Sequence, residues 1–183
     1  MIPSSATRST ARGSRRAPPP LDAAALERLA LRYVERFATS RGKLCDYLTR
    51  KIRERGWEGA PVDPRAVAER MADAGYVDDR RFAEQKGASL ARRGYGARRV
   101  AETLRAAGLD EEDRAPAVEE GRAAALDSAL RLARRKRIGP FAATRAEPRE
   151  RERHLAALLR AGHDSRTARR VVDSAPGEIP EID

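Results

Sequence analysis

The sequence predicts an all-α protein made of three tandem three-helix repeats that form an elongated, curved array. From residue 22 onward the apolar residues keep helical spacing, and no run of alternating β-branched residues indicates a strand. Glycines that suit helix ends recur at Gly56, Gly108 and Gly162, which are 52 and 54 residues apart. A capped short helix can follow each of these glycines. A period near 50 residues favours an array in which each unit contacts mainly its neighbours.

The first predicted repeat is 22–77. Its first helix has an apolar stripe at i, i+3, i+4 and i+7, formed by Leu26, Leu29, Ala30, Tyr33, Val34 and Phe37. Ser40 can cap a second helix that ends at Gly56, and the apolar residues of that helix are Leu44, Cys45, Leu48 and Ile52. Asp63 and Pro64 suit the N-cap and first position of a third helix.

The corner between the first two repeats, 75–83, is the most specific motif of the chain. Gly75 suits the left-handed residue that closes a helix, and Asp78 can cap the next one. This indexing places Val77 and Phe82 at the two positions of a hydrophobic staple. The motif consists of Gly75, Tyr76, Val77, Asp78, Asp79, Phe82 and Ala83.

The second predicted repeat, 78–122, contains a helix from Asp79 to about Arg93, a helix from Gly96 to Gly108, and a helix with an acidic first turn. Pro116 lies inside this last helix and is expected to kink or truncate it.

The third predicted repeat, 123–175, contains a helix that carries Leu126, Ala129, Leu130 and Ala133, and a break at 138–140. A helix from Pro148 to Ala161 follows, and Asp164 or Ser165 can cap a short last helix. We expect 176–183 to be a frayed tail.

The net charge of +10 and the pI near 10.7 favour a polyanionic partner, either nucleic acid or an acidic protein surface. Residues 1–21 are predicted to form a disordered basic arm, with a transit peptide as the less favoured interpretation. The four arginines of this arm leave +6 on the remainder. A single cysteine, Cys45, excludes disulfides and zinc sites, and no segment has the roughly 18 apolar residues of a membrane helix. We expect a cytoplasmic monomer without cofactors.

The chain resembles the RecX family of regulatory proteins over about 24–174. The resemblance rests on the corner 75–83, on 93–100 (Arg-Gly-Tyr-Gly-Ala-Arg-Arg-Val), on 104–109 and on 158–163. Two positions depart from the family pattern: His163 stands where the family usually has an aromatic residue, and Pro116 interrupts a helix.

The resemblance implies an all-helical modulator that lies in the groove of the RecA filament on single-stranded DNA. It also implies a role in DNA repair, recombination and the SOS response, by inhibiting filament growth, ATP hydrolysis, strand exchange and coprotease activity. The alternative is a protein that binds DNA directly through units of helix-turn-helix type.

Two basic clusters are the candidate contacts with RecA or DNA phosphate, since arginine binds phosphate and carboxylate alike. They are Arg92, Arg93, Arg98 and Arg99, and then Arg131, Arg134, Arg135, Lys136 and Arg137. The alternative is that both are solvated helix faces near C-termini, where cations are favoured. Tyr95, between two glycines, can stack on a base or pack at a turn, and packing is the favoured role. Because no constellation of acids, histidines or nucleophiles suggests catalysis or metal binding, we expect no enzyme activity.

Overall fold

The computed structural model describes residues 19–181, and in this part of the chain the fold is all-α, as predicted. The helices are α1 (Ala23–Arg36), α2 (Arg41–Arg55), α3 (Pro64–Asp73), α4 (Asp79–Arg92), α5 (Ala97–Ala106), α6 (Glu111–Ala123), α7 (Ala125–Lys136), α8 (Pro148–Arg160) and α9 (Ser165–Asp173). A single 3-10 turn spans Gly139–Phe141. No helix in the described range is both long enough and apolar enough to span a bilayer.

The helices form three units of three, each with its own apolar core. Helices α1–α3 enclose Leu26, Leu44, Leu48 and Val67. Helices α4–α6 enclose Leu90, Val100, Leu104 and Ala117. Helices α7–α9 and the 3-10 turn enclose Leu132, Ile138, Leu158 and Val171. The second and third units contact each other where α7 packs on α4 and α6.

The predicted caps are confirmed. Asp78 Oδ1 accepts a hydrogen bond of 2.8 Å from the Arg81 amide, and Gly75 has the left-handed φ of +79°. At the last helix the cap is Asp164, whose Oδ1 accepts from the Thr167 amide at 2.8 Å. Caps are predictable because a short side chain and an amide three residues away decide them.

The middle helices of the three units, α2, α5 and α8, follow one another head to tail. At the first joint, the Ser40 hydroxyl before α2 donates to the Ala107 carbonyl after α5, at 2.6 Å. At the second joint, the Gly96 amide before α5 donates to the Ala161 carbonyl after α8, at 3.0 Å. Each joint gives an unpaired helix-end carbonyl a donor and opposes the positive end of one helix dipole to the negative end of another.

Glycine is required at both joints because two backbones touch there. A Cβ atom on Gly42 would lie 2.6 Å from Gly108 Cα, and one on Gly96 would lie 2.4 Å from the Gly162 carbonyl oxygen. Gly96 itself has φ −83° and ψ 169°, a conformation open to every residue. Its requirement for glycine therefore comes from the contact between units and not from its own backbone.

Pro116 was predicted to kink or truncate its helix, and truncation is wrong. Helix α6 runs without interruption from Glu111 to Ala123. Pro116 and Glu112 are exposed, so the carbonyl that loses its donor faces water, while Ala117 on the buried side packs in the second core. Packing against α4 and α5 outweighs the local preference.

Phe37 was predicted to belong to the buried stripe of the first helix, and this is also wrong. Helix α1 ends at Arg36, and Phe37 follows it in extended conformation with half of its surface exposed. The change of backbone conformation takes the ring out of the helical stripe. It leans on Tyr33, with 5.2 Å between the ring centroids.

Both chain ends differ from prediction where they are described. Leu21, assigned to the basic arm, is fully buried in the first core, because its amide and carbonyl bond to the backbone of Gly56 and Glu58. In the tail, the Gly177 amide donates to the Pro140 carbonyl at 2.9 Å, so the expected fraying does not apply there. The rest of the predicted arm, residues 1–18, and residues 182–183 of the tail lie outside the described residues.

Candidate functional site

A buried aspartate holds the first joint together. Asp79 is 6% exposed, and its carboxylate accepts from both the amide and the Nε of Arg41, each at 2.8 Å. The Arg41 guanidinium also reaches Asp113 at 2.9 Å, so one arginine links α2 to α4 and α6. The hydrogen bond to Asp79 raises the pKa of Arg41. This bond was not predictable from local sequence, in which capping by Asp78 leaves the adjacent Asp79 without a role.

Replacing Asp79 by asparagine is expected to lower the free energy of unfolding by about 2 kcal/mol, because a buried charge-assisted pair loses its anion. Urea denaturation of the full chain measures the change. Asp78→Asn is the matched control, since asparagine caps a helix as well as aspartate does and this change should cost less than about 0.5 kcal/mol. Equal losses in the two variants would contradict a special role for Asp79.

The second joint brings the two predicted basic clusters together around Tyr95. The Arg135 guanidinium of the second cluster donates to the backbone carbonyl of Arg93 in the first. The Tyr95 ring packs partly buried between the second and third cores. The guanidinium carbons of Arg93 and Arg99 lie 5.4 and 6.0 Å from its centroid. Residues 42 positions apart in sequence thus form one surface.

An open groove runs along this surface, and we call it the distal groove. The groove is lined by Tyr95, Leu132, Arg135, Lys136, Ala157, Arg160 and Ala161. Three of these side chains are cations, and none is an acid. Arg160 was not among the predicted contacts, because it stands alone in sequence and reaches the groove only through the packing of α8. Unopposed cations beside an aromatic ring are suited to a polyanionic ligand.

Several other predicted site residues make contacts within the protein. Arg98 donates to the Leu159 carbonyl at 2.9 Å and so helps close the second joint. Both Arg98 and Arg99 lie near Glu102, at 3.7 and 3.5 Å. The Arg134 guanidinium covers the Phe141 ring at 4.9 Å.

The remaining three predicted cations are exposed and lie outside the distal groove. They are Arg92, Arg131 and Arg137. Arg137 ends α7 in the left-handed conformation, with φ of +55°. Of the two clusters, only Arg135 and Lys136 line the distal groove, and Arg93 and Arg99 lie against its Tyr95 ring.

His163 lies under the second joint and is 3% exposed. Its Nε2 is 3.1 Å from the Gly94 carbonyl, which it can meet as a neutral donor, and its Nδ1 is buried without a partner among the described residues. Burial lowers the pKa of the imidazole below its ordinary value of 6.5, because a second ring proton would have no acceptor. His163, at a position where the family usually has an aromatic residue, therefore packs as a neutral ring.

We expect acid to weaken the second joint through His163. Below pH 6.5 the His163 side chain of the unfolded chain binds a proton more readily than that of the folded chain, because folding lowers its pKa. The stability present above that pH is therefore lost as the pH falls, by at most about 1.4 kcal/mol per pH unit. Urea unfolding at successive pH values measures this slope. His163→Gln keeps a donor for Gly94 and does not titrate, so its slope should be smaller; an identical slope would contradict the assignment.

Comparison with known proteins places these features in a family. Residues 78–117 match the family model of RecX, second three-helix domain. The protein named Regulatory protein RecX from Myxococcus xanthus (strain DK1622) is 35% identical over 164 residues, which cover 82% of this chain and 86% of that relative. The chain belongs to the RecX family. The resemblance seen in the sequence is thereby confirmed, and the RecX domain match includes α4, α5 and Tyr95 of the second joint.

Proposed function

We propose that this RecX-family protein binds the RecA filament on single-stranded DNA and restrains its growth, ATP hydrolysis, strand exchange and coprotease activity. Membership of a family of regulatory proteins supports the proposal, and the family resemblance supplies the partner. The observation that carries it is the distal groove, whose lining residues include three cations and no acid, while Arg93 and Arg99 of the first cluster lie against its Tyr95 ring.

The architecture suits a filament as target. We propose that 22–77, 78–122 and 123–175 act as three units in series, each aligned to the next by a glycine joint. A chain of small units offers a long surface that can follow a groove lined by acidic protein and phosphate. We infer that the protein acts in the cytoplasm, as a monomer and by binding alone.

The alternative, a helix-turn-helix protein, fits the second unit poorly. In such a protein the N-terminal residues of the recognition helix approach the bases. The third helix of the second unit, α6, begins with Glu111, Glu112 and Asp113. Three acids at that end would face DNA phosphates unfavourably, so the regulator of a protein filament is the better supported function.

Sedimentation of RecA filaments tests the proposal directly. Filaments assembled on single-stranded DNA with a slowly hydrolysed nucleotide should carry the protein into the pellet, in amounts that saturate with RecA. DNA coated by an unrelated single-strand-binding protein is the control. Equal pelleting with both would show that RecA is not the partner.

A further inference from the structure

A second groove of the same kind lies at the first joint, between the first and second units. We call it the proximal groove. Its basic and aromatic lining residues are Lys43 of α2, Phe82 and Lys86 of α4, and Arg99 of α5. The Lys43 ammonium lies 5.6 Å from the centroid of the half-buried Phe82 ring. Neither lysine belongs to the two clusters that the sequence indicated.

The proximal and distal grooves are equivalent positions of the repeat. Thr103, Ala106 and Ala107 line the proximal groove, and Ala157, Arg160 and Ala161 line the distal one. Each of the second three follows its counterpart by 54 positions, the spacing that also separates the joint glycines Gly108 and Gly162. The same positions at the C-terminal end of the middle helix thus line a groove at each joint.

The two grooves lie toward opposite ends of α5, and Arg99 lies near both. The C-terminal half of α5 lines the proximal groove, and Tyr95, just before its first turn, lines the distal one. A ten-residue helix is about 15 Å long at 1.5 Å per residue. Arg99 lines the proximal groove and also lies against the Tyr95 ring. Arg99 therefore lies between the two grooves.

Each groove pairs one partly buried aromatic ring with cations. Lys43 accompanies Phe82, and Arg93 and Arg99 accompany Tyr95. One acid, Glu102, lies in the proximal groove and pairs with Arg99, which leaves Lys43 and Lys86 in excess there. Surfaces that bind single-stranded nucleic acid by stacking and phosphate contact combine aromatic rings with cations in this way.

We propose that the two grooves form one track that binds single-stranded nucleic acid directly, without RecA. Backbone phosphates contact Lys43, Lys86 and Arg99 in the proximal groove and the cations of the distal groove. Bases lie against Phe82 and Tyr95. An acidic protein could bind the cations, but its binding would not depend on an aromatic ring in each groove. Nucleic acid is therefore the occupant that the geometry favours.

Fluorescence anisotropy of a labelled oligothymidine, with the full chain and no RecA, tests the track. We expect the double variant Lys43→Glu, Lys86→Glu to bind about tenfold more weakly, and the slope of log K against log salt to fall in magnitude by about 1.4 for two lost phosphate contacts. Phe82→Leu should lose about fivefold in affinity with an unchanged slope, because it removes a stacking surface and no charge.

The matched control is Arg28→Glu, Arg32→Glu, which makes the same charge change on exposed positions of α1 that line neither groove. It should bind within about twofold of the parent chain, because neither residue lines a groove and salt screens the attraction between distant exposed charges. Equal losses of affinity in both double variants would show that net charge alone determines binding, and would contradict the proposed track. Weaker binding of polyglutamate with DNA binding unchanged would assign the proximal groove to an acidic protein instead. Failure of RecA inhibition alone would leave the track standing, since no RecA is present.

Discussion

Replacing Gly96 by alanine should lower the free energy of unfolding by about 3 kcal/mol and separate the second and third units. The added methyl group would lie 2.4 Å from the Gly162 oxygen and 2.6 Å from the His163 nitrogen, so backbone and not a flexible side chain must move. Overpacking of this kind costs about 1–3 kcal/mol where a core can adjust, and this joint also loses the Gly96 to Ala161 hydrogen bond. Urea denaturation measures the stability, and small-angle X-ray scattering measures the change of shape.

Two further glycines are expected to change stability in opposite directions when each is replaced by alanine. Gly121 lies in α6, where an added Cβ would meet Ala97 at an ordinary 3.5 Å, so Gly121→Ala should stabilise by up to about 1 kcal/mol through helix propensity. Gly42 also lies in a helix, α2, yet its Cβ would meet Gly108, so Gly42→Ala should destabilise. A stable Gly42→Ala variant with unaltered scattering would contradict the head-to-tail joints.

Reversing two charges of the distal groove should weaken inhibition of RecA at least tenfold. Lys136 and Arg160 line the groove, and both are exposed in the last turn of their helices. Lys136→Glu with Arg160→Glu converts three cations and no acid into one cation and two acids, which repel a polyanion. Loss of favourable positions near two helix C-termini costs about 0.3–1 kcal/mol each, too little to unfold the third unit.

The control for this pair carries the same helix-end penalty. Arg36→Glu with Arg105→Glu also reverses two exposed cations in last turns, on α1 and α5, and neither residue lines a groove. Inhibition of the coprotease activity of RecA, measured as the protein concentration that gives half of the effect, compares the two variants. The same concentration for both would show that overall charge, and not the distal groove, determines inhibition.

Local features of this fold were predictable, and contacts between units were not. Asp78 caps α4 through an amide three residues away, so the sequence contains both partners of the bond side by side. Asp79 bonds to Arg41, 38 residues earlier, and no local pattern reports that distance. Pro116 misled because the packing that keeps α6 intact comes from two other helices of its own unit, α4 and α5, and not from neighbouring residues in the sequence.

The joints did leave a signal in the sequence. Gly108 and Gly162 were predicted to end helices, and their spacing indicated the repeat. Their second role, contact with Gly42 and Gly96, follows once the units are stacked. The candidate site was predictable in part for a similar reason. Charge runs identified Arg93 and Arg135, but only folding shows that one bonds to the other, and the solitary Arg160 needed the structure.

Hydrolysis of ATP by RecA on single-stranded DNA, measured as the cognate protein is titrated with this chain, tests the central claim most directly. We expect substoichiometric amounts to suppress the rate, and the Lys136→Glu, Arg160→Glu variant to require at least tenfold more protein. Deleting residues 1–18 in parallel separates the contribution of the N-terminal segment from that of the folded units. An unchanged rate at equimolar protein, while the same preparation binds bare DNA at moderate salt, would contradict the account and leave direct DNA binding as the function.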